Sequence, residues 1–353
     1  MTTSEQPPFR VSLTADFYHA DGKPRYENFG LDTFSEHQHV AITQFAEHQQ
    51  EITPDQLQNC HAALVLTPSV TANSIAGCSD LLMISRFGVG YDTVDVAACT
   101  ANHVLLTNTP GAVDRPVAEA TIGWMLALTH RVFQKDHLVR TGRWDDRSQY
   151  MGCELRDRTL GVVGLGGIGR QLVQLLKGFG MRPPIAFDPY VAPETFEAEH
   201  VRQVTLDELL ATADFVSLHC PLTAETQDLI GETQLNRMKP GSYLLNLARG
   251  GIVDENALYD ALTSGHIAGA ALDCFSEEPV TTPHRLAELD NVLLAPHSIA
   301  WTNELFRDIG RAACQSMLAV SYGRQPQGMV NPEVLEHDAF RRKWERIRGI
   351  ANE

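Results

Sequence analysis

The stretch Leu160-Gly161-Val162-Val163-Gly164-Leu165-Gly166-Gly167-Ile168-Gly169 decides the fold. Its apolar first half, Leu160 to Val163, reads as a buried strand and its glycines as a tight turn, and a helix is predicted to start near Ile168. In that setting the spacing G-x-G-x-x-G has a physical meaning. Gly164 permits the turn, Gly166 lets backbone approach a pyrophosphate, and Gly169 allows close packing of helix on strand. Gly167 and Ile168 then present the helix N-terminus to the phosphates. Nineteen residues after Gly169 stands Asp188, at the end of the short apolar run Ile185-Ala186-Phe187. An acid in that place accepts hydrogen bonds from the adenosine ribose hydroxyls and repels a 2′-phosphate. Pro189-Tyr190-Val191 brings no cation, so the cofactor expected is NAD rather than NADP.

Outward from this core, apolar runs and amphipathic stretches alternate, the pattern of a parallel α/β sheet. Downstream the strands predicted are Leu160–Val163, Ile185–Asp188, Phe215–Leu218, Tyr243–Leu247, Ala268–Asp273 and Val292–Ala295. Asp254 opens a helix, and Gly265 and Gly269 sit where a helix-to-strand turn is wanted. Upstream, Val11–Phe17, Ala63–Thr67, Leu81–Ser85 and Val104–Thr107 read as strands, with helices over Thr93–Asn102 and after Pro54. One long apolar helix is predicted from about Pro116 to Arg140, followed by a polar arm, Thr141 to Arg158. Thr302 caps a final helix that ends by Gly323 and returns toward the first series, where Val330-Asn331-Pro332 closes the sheet.

Composition bounds the function. The 353 residues are enough for two cores, and 43% hydrophobic with 20% charged residues is ordinary globular usage. A net charge of −16 argues against a nucleic-acid partner. Met1 to Arg10 lacks the layout of a signal peptide, and no apolar run approaches the length of a membrane span. Seven scattered cysteines without a C-x-x-C argue for reduced thiols in a cytoplasmic protein with no metal site.

A nicotinamide enzyme also needs a group to hold the substrate's charge, a proton carrier, and something to tune that carrier. Three residues follow predicted strands at the carboxyl edge where ligands bind in such sheets. They are Arg249 in Ala248-Arg249-Gly250-Gly251, Glu278 in Ser276-Glu277-Glu278-Pro279, and His297 in Ala295-Pro296-His297-Ser298. An arginine clamps a carboxylate through paired hydrogen bonds. A histidine moves a proton near neutrality, and a carboxylate on it fixes its tautomer. The same positions also suit a surface ion pair, a turn cap and an ordinary histidine, and His219 competes as a residue that ends a strand. Position alone therefore yields candidates.

From Leu81 to Asn331 the chain resembles the D-isomer-specific 2-hydroxyacid dehydrogenases, a group that includes phosphoglycerate, glycerate, glyoxylate, hydroxypyruvate and D-lactate enzymes. The resemblance is carried by Phe87-Gly88-Val89-Gly90-Tyr91-Asp92, Asn108-Thr109-Pro110-Gly111, Val117-Ala118-Glu119 and the glycine turn with Asp188. It continues in His219-Cys220-Pro221-Leu222-Thr223, Asn246-Leu247-Ala248-Arg249-Gly250, Ala271-Leu272-Asp273-Cys274-Phe275, Glu278-Pro279 and Pro296-His297. It implies a Rossmann-type NAD-binding domain, residues 113–301, inserted into a flavodoxin-like substrate domain, residues 1–112 plus 302–353. It also implies His297 as acid/base, Glu278 as its partner and Arg249 on the substrate carboxylate, with Val89 and Gly90 contacting that carboxylate. His219, Pro221, Thr226 and Ala248 fall to the cofactor's wall, and Asp273 to its carboxamide. The reaction implied interconverts a D-2-hydroxy acid and its 2-oxo acid, in a homodimer built on the long apolar helix and the arm after it.

Three matters stay open at this level. Where the family has a small turn after the histidine, this chain has Ser298-Ile299-Ala300-Trp301, so Trp301 either shapes the substrate pocket or fills the core. Arg86, Arg115 and Arg147 are either contacts for a phosphorylated substrate or surface charges. The alternative function is an NAD(H)-sensing corepressor-like protein of the same fold.

Overall fold

The computed structural model describes residues 7–349, so the first six residues of the polar N-terminal stretch and the last four of the tail lie outside the described residues. The chain divides into two units, one formed by Met1–Val113 with Thr302–Glu353 and the other by Asp114–Trp301.

The first unit holds five strands: β1 (Phe9–Leu13), β2 (Val40–Gln44), β3 (Ala62–Val65), β4 (Met83–Arg86) and β5 (Leu105–Thr107). They pair in parallel in the order β2-β1-β3-β4-β5, the flavodoxin-like winding. β1 is shorter than the sequence suggests. It stops at Leu13, and Ala15–Phe17 turns into a 3-10 helix that buries Phe17. β2 has no counterpart in the sequence reading, because it is an edge strand whose residues are half-buried or exposed. Helix Asn303–Ser321 belongs to this unit; Thr302 Oγ1 accepts the Leu305 N–H at 3.0 Å as its cap. Asn331 closes the sheet with its side chain. Its amide oxygen accepts the Leu106 N–H at 2.7 Å, and its amide nitrogen donates to Val104 O at 3.0 Å.

The second unit carries β6 (Leu160–Val163), β7 (Ile185–Phe187), β8 (Arg202–Gln203), β9 (Phe215–Leu218), β10 (Ser242–Asn246), β11 (Ile267–Leu272) and β12 (Val292–Leu294). All pair in parallel, in the order β12-β11-β10-β9-β6-β7-β8. Renumbered within the unit this is 3-2-1-4-5-6 with a seventh strand, the Rossmann order, so strand order reverses between β6 and β9. Apolar layers lie on both faces, with Leu209, Leu218, Leu244 and Leu258 in one and Trp124, Val162, Leu172 and Phe215 in the other.

The single long helix expected from Pro116 to Arg140 is two helices, Asp114–Thr129 and Val132–Arg140. Arg131 between them has φ 55°, a left-handed residue that ends the first helix without a glycine or proline to mark it. The first helix buries Trp124, Met125 and Leu128. The second buries only Leu138, and Phe133 beside it is 58% exposed. Gly269 is a residue of β11 rather than of the turn before it, which is made at Gly265 (φ 76°). A Cβ on Gly269 would stand 2.8 Å from Asn291 O, so the strand needs glycine for packing rather than for turning.

Candidate active site

Register builds the site. Phe187, Val163, Leu218, Asn246, Leu272 and Leu294 lie in one row across β7, β6, β9, β10, β11 and β12. The residues that follow them, Asp188, Gly164, His219, Leu247, Asp273 and Ala295, therefore leave the sheet at one level, along its carboxyl edge.

At the reversal point Gly164 has φ 95°, and a Cβ there would meet Cys220 N and His219 C at 2.8 Å. Gly166 precedes helix Gly167–Leu175 and has open space where a side chain would stand. A Cβ on Gly169 would lie 2.5 Å from Gly164 O, so the helix rests directly on the turn. Gly167 has a different constraint, which the motif does not announce. Its missing Cβ is replaced by the carboxylate of Asp114, at 2.1 Å from the position that atom would take. Burial raises the carboxyl pKa of Asp114. Asp188 accepts the Leu165 N–H at 2.8 Å and the Tyr190 N–H at 2.9 Å, which holds the acid beside the glycine turn. Tyr190 OH donates to Glu225, joining the loops that border this end of the sheet.

His219 Nε2 lies 2.8 Å from Ser217 Oγ, while its buried Nδ1 has no hydrogen-bond partner among the described residues. Desolvation lowers this histidine to about 4, so it is neutral at physiological pH. An orphaned ring nitrogen beside a glycine cradle and an anchored acid fits a dinucleotide. Thr226 is occupied within its own loop. Its hydroxyl accepts the Thr223 N–H and donates to Pro221 O, both at 2.7 Å, and so shapes the turn that carries Pro221.

The three chemical candidates stand on adjacent loops of this unit. His297 Nδ1 is 2.8 Å from Glu278 Oε2, and Glu278 Oε1 accepts the Phe275 N–H at 2.9 Å. Burial alone would raise the Glu278 carboxyl, but these two hydrogen bonds and the nearby charge of Arg249 hold it below its ordinary value. An ionised Glu278 makes Nδ1 the donor, which leaves Nε2 of His297 to exchange a proton. His297 itself has φ 51°, an uncommon conformation for a side-chain-bearing residue. Asp273 keeps it there by accepting the Ser298 N–H at 2.8 Å and the Ile299 N–H at 3.1 Å just beyond. Desolvation raises Asp273 to about 6 in spite of these bonds.

Arg249 leaves β10 through a turn held by Asn246, whose side chain accepts the Ala248 N–H at 3.1 Å and donates to Arg249 O at 2.8 Å. Gly250 is then pressed on the neighbouring loop, since a Cβ there would be 1.8 Å from Phe275 O. Sequence reasoning missed Asn246 as a site residue, although an amide at the end of a fully buried strand is the signal that could have found it.

Val89 and Gly90 belong to the first unit, in a loop that starts at Gly88 with φ 132° and is braced by Asn108 Nδ2 donating to Val89 O at 2.7 Å. Trp301 is 52% exposed, which removes the core-filling alternative. Arg115 pairs with Glu119 at 2.7 Å and Arg147 with Asp145 at 3.5 Å, all exposed. Arg86 donates to the carbonyls of Val65 and Phe87 at 3.0 and 3.1 Å.

A Rossmann sheet, a glycine cradle with its acid, and a carboxylate–histidine pair at the same edge define a nicotinamide-dependent oxidoreductase. A model of the D-isomer specific 2-hydroxyacid dehydrogenase NAD-binding domain matches residues 122–298. A glyoxylate reductase of Korarchaeum cryptofilum is 36% identical over 315 residues, 88% of this chain and 92% of the relative. A D-3-phosphoglycerate dehydrogenase of Archaeoglobus fulgidus is 38% identical over 271 residues, 77% of this chain but 51% of that longer protein. The NAD-complexed crystal structure of a D-isomer specific 2-hydroxyacid dehydrogenase from Lactobacillus delbrueckii superposes with a TM-score of 0.74. It is 26% identical, over 91% of this chain and all of the other. The chain thus belongs to the D-isomer specific 2-hydroxyacid dehydrogenase family and is an NAD-dependent oxidoreductase. These relatives give no support to the sensor alternative.

Proposed function

We propose that this enzyme reduces a small, unphosphorylated 2-oxo acid to the D-2-hydroxy acid, with His297 as acid/base, Glu278 as its partner and Arg249 as the carboxylate clamp. The His297–Glu278 contact of 2.8 Å carries the reading. Gly164, Gly166, Gly167, Ile168, Gly169 and Asp188 would hold the pyrophosphate and ribose, and His219, Pro221, Thr226 and Ala248 would wall the site. Asp273 serves both the carboxamide and, through Ser298 and Ile299, the histidine turn.

When bound, NADH supplies hydride to the carbonyl carbon. Arg249 holds the carboxylate and draws electron density toward the carbonyl oxygen. Protonated His297 delivers the proton from Nε2 to that oxygen, and ionised Glu278 stabilises the imidazolium that must be present beforehand. In the reverse direction neutral His297 takes the hydroxyl proton. Val89 and Gly90 would add backbone contacts to the carboxylate, and Trp301 would border the substrate's side chain.

The absence of a phosphate from the proposed substrate is supported by the three candidate arginines. Arg115 and Arg147 are committed to surface acids, and Nη1 of Arg86 to two backbone carbonyls. Among the described residues no helix is long and apolar enough to cross a membrane. Together with seven unpaired cysteines this supports a cytoplasmic enzyme. Exposed Val132, Phe133, Val139 and Trp144 support a homodimer through the helix and arm at 132–150. NADH oxidation with glyoxylate, hydroxypyruvate, pyruvate and phosphohydroxypyruvate tests the substrate. Turnover of the first three with a much lower kcat/KM for the phosphorylated acid is expected, and silence across all four would overturn the reading.

A further inference from the structure

A second carboxylate–histidine pair lies behind the first. Glu255 Oε2 is 3.0 Å from His284 Nε2, with side chains only 18% and 21% exposed. The other oxygen, Oε1, accepts the Ser276 N–H at 2.7 Å and the Ser276 hydroxyl at 2.9 Å. His284 Nδ1 accepts the Leu286 N–H at 3.3 Å, which makes Nε2 the donor toward Glu255. Its ring also lies against Phe275, centroid to centroid 5.0 Å. The carboxylate's bonds to Ser276 and the ring's contact with Phe275 converge on two neighbouring residues of the turn carrying Glu278.

Gly250 also closely approaches Phe275 O, and within the turn the Phe275 N–H is the second partner of the Glu278 carboxylate. The backbone at 275–276 is thus held both by the Arg249 turn and by the Glu255–His284 pair. Glu255 sits at the first position of helix Glu255–Thr263, whose cap, Asp254, accepts the Asn256 and Ala257 N–H groups independently of it. Nothing in the helix itself requires the Glu255 side chain to reach Ser276.

We propose that Glu255 and His284 are positioning residues of the reduction, holding the 274–279 turn where Glu278 meets His297. Neither touches the reacting atoms; they act through Glu278. The inference rests on the catalytic reading of that pair. Oε2 of Glu255 takes the half-buried His284 and Oε1 takes two donors from Ser276, so one carboxylate ties the turn both to its own helix and to the loop at 284.

The test is a double-mutant cycle of Glu255→Ala with Glu278→Gln on the full-length enzyme, measuring kcat, KM, NADH affinity and the pH profile of kcat. Glu255→Ala is expected to lower kcat about five- to twentyfold, with KM and NADH affinity changed less than about twofold. It should move the pH profile in the same direction as Glu278→Gln does. In the Glu278→Gln background Glu255→Ala should cost less than about twofold, because the residue it positions is already disabled. Multiplying effects, or a loss of NADH affinity equal to the loss of kcat, would overturn the proposal. His284→Asn releases one side of the brace and leaves the helix cap intact, so it decides the matter if Glu255→Ala fails to fold. A Glu278→Gln enzyme with wild-type kcat and pH profile would instead refute the catalytic reading beneath it.

Discussion

Replacing Glu278 by Gln separates the charge of the carboxylate from its shape. The amide can still accept from Phe275 N–H or face His297 Nδ1, but it no longer offsets a positive imidazolium at 2.8 Å. The pair is only partly shielded, with side chains 47% and 35% exposed, so its worth is that of a screened ion pair, about 1 kcal/mol. At 1.36 kcal/mol per factor of ten this corresponds to about a fivefold change in rate. The sign follows from the proposed role of His297 as acid/base, in which reduction needs the protonated ring and oxidation the neutral one. Losing Glu278 therefore moves the alkaline limb of the reduction profile, and the acid limb of the oxidation profile, to lower pH. Stability carries the same signature. Because the folded carboxyl titrates below its ordinary value, its contribution is present above that ordinary value and lost as pH falls through the folded one. Stopped-flow NADH absorbance in both directions from pH 5 to 9 reads the kinetic limbs. Limbs that stay in place, or that move toward higher pH, would refute the assignment of Glu278 as the partner of His297.

Other perturbations read other parts of the site. Gly164→Ala forces a side chain on a left-handed residue whose Cβ would lie 2.8 Å from backbone on the next loop. Strain of about 1–3 kcal/mol should appear as a lower Tm, and NADH affinity measured by protein-fluorescence quenching should fall with it. Asp188→Ala removes the acid that repels a 2′-phosphate, so the NADPH/NADH ratio of kcat/KM should rise about tenfold or more; an unchanged ratio would show that another group selects the cofactor. Asp273, raised to about 6, favours the folded state fully only below its unfolded value, and that advantage is lost as pH rises through 6. The Tm of Asp273→Asn minus that of the wild type should therefore increase from pH 4 to 7 in differential scanning calorimetry. Phe133→Glu places a charge on the exposed apolar helix and should convert the proposed homodimer to a monomer in sedimentation velocity, whereas an unchanged sedimentation coefficient would show that this surface is not an interface.

The strands of the second unit were legible to within about one residue because parallel strands covered on both faces read as continuous apolar runs. The edge strands Val40–Gln44 and Arg202–Gln203 were not, since half of what they face is water and their composition says so. The break at Arg131 was invisible because a left-handed arginine carries no sequence mark. Arg249, Glu278 and His297 could be found as polar residues just past strand ends. Asn246 carries a fainter mark, an amide that ends a fully buried strand, whereas Glu255 and His284 could not be found, since the atoms they meet in Ser276 and Phe275 lie across sequence separations that only the fold closes. Asp114 belongs with them: a glycine motif announces the missing Cβ of Gly167 but not the carboxylate that takes its place.

The contact between Gly250 and Phe275, with the Asp273 carboxylate on the turn after His297, has an evolutionary consequence. Loops fastened to one another through main-chain atoms vary little independently, because a side chain at one alters the geometry of all. Diversification of substrate range in this lineage should therefore accumulate elsewhere. Trp301 and Tyr91, whose side chains are 52% and 40% exposed, have more of that freedom. A library randomised at those positions should retain folded, NADH-binding clones far more often than one randomised at 246–250 or 273–278.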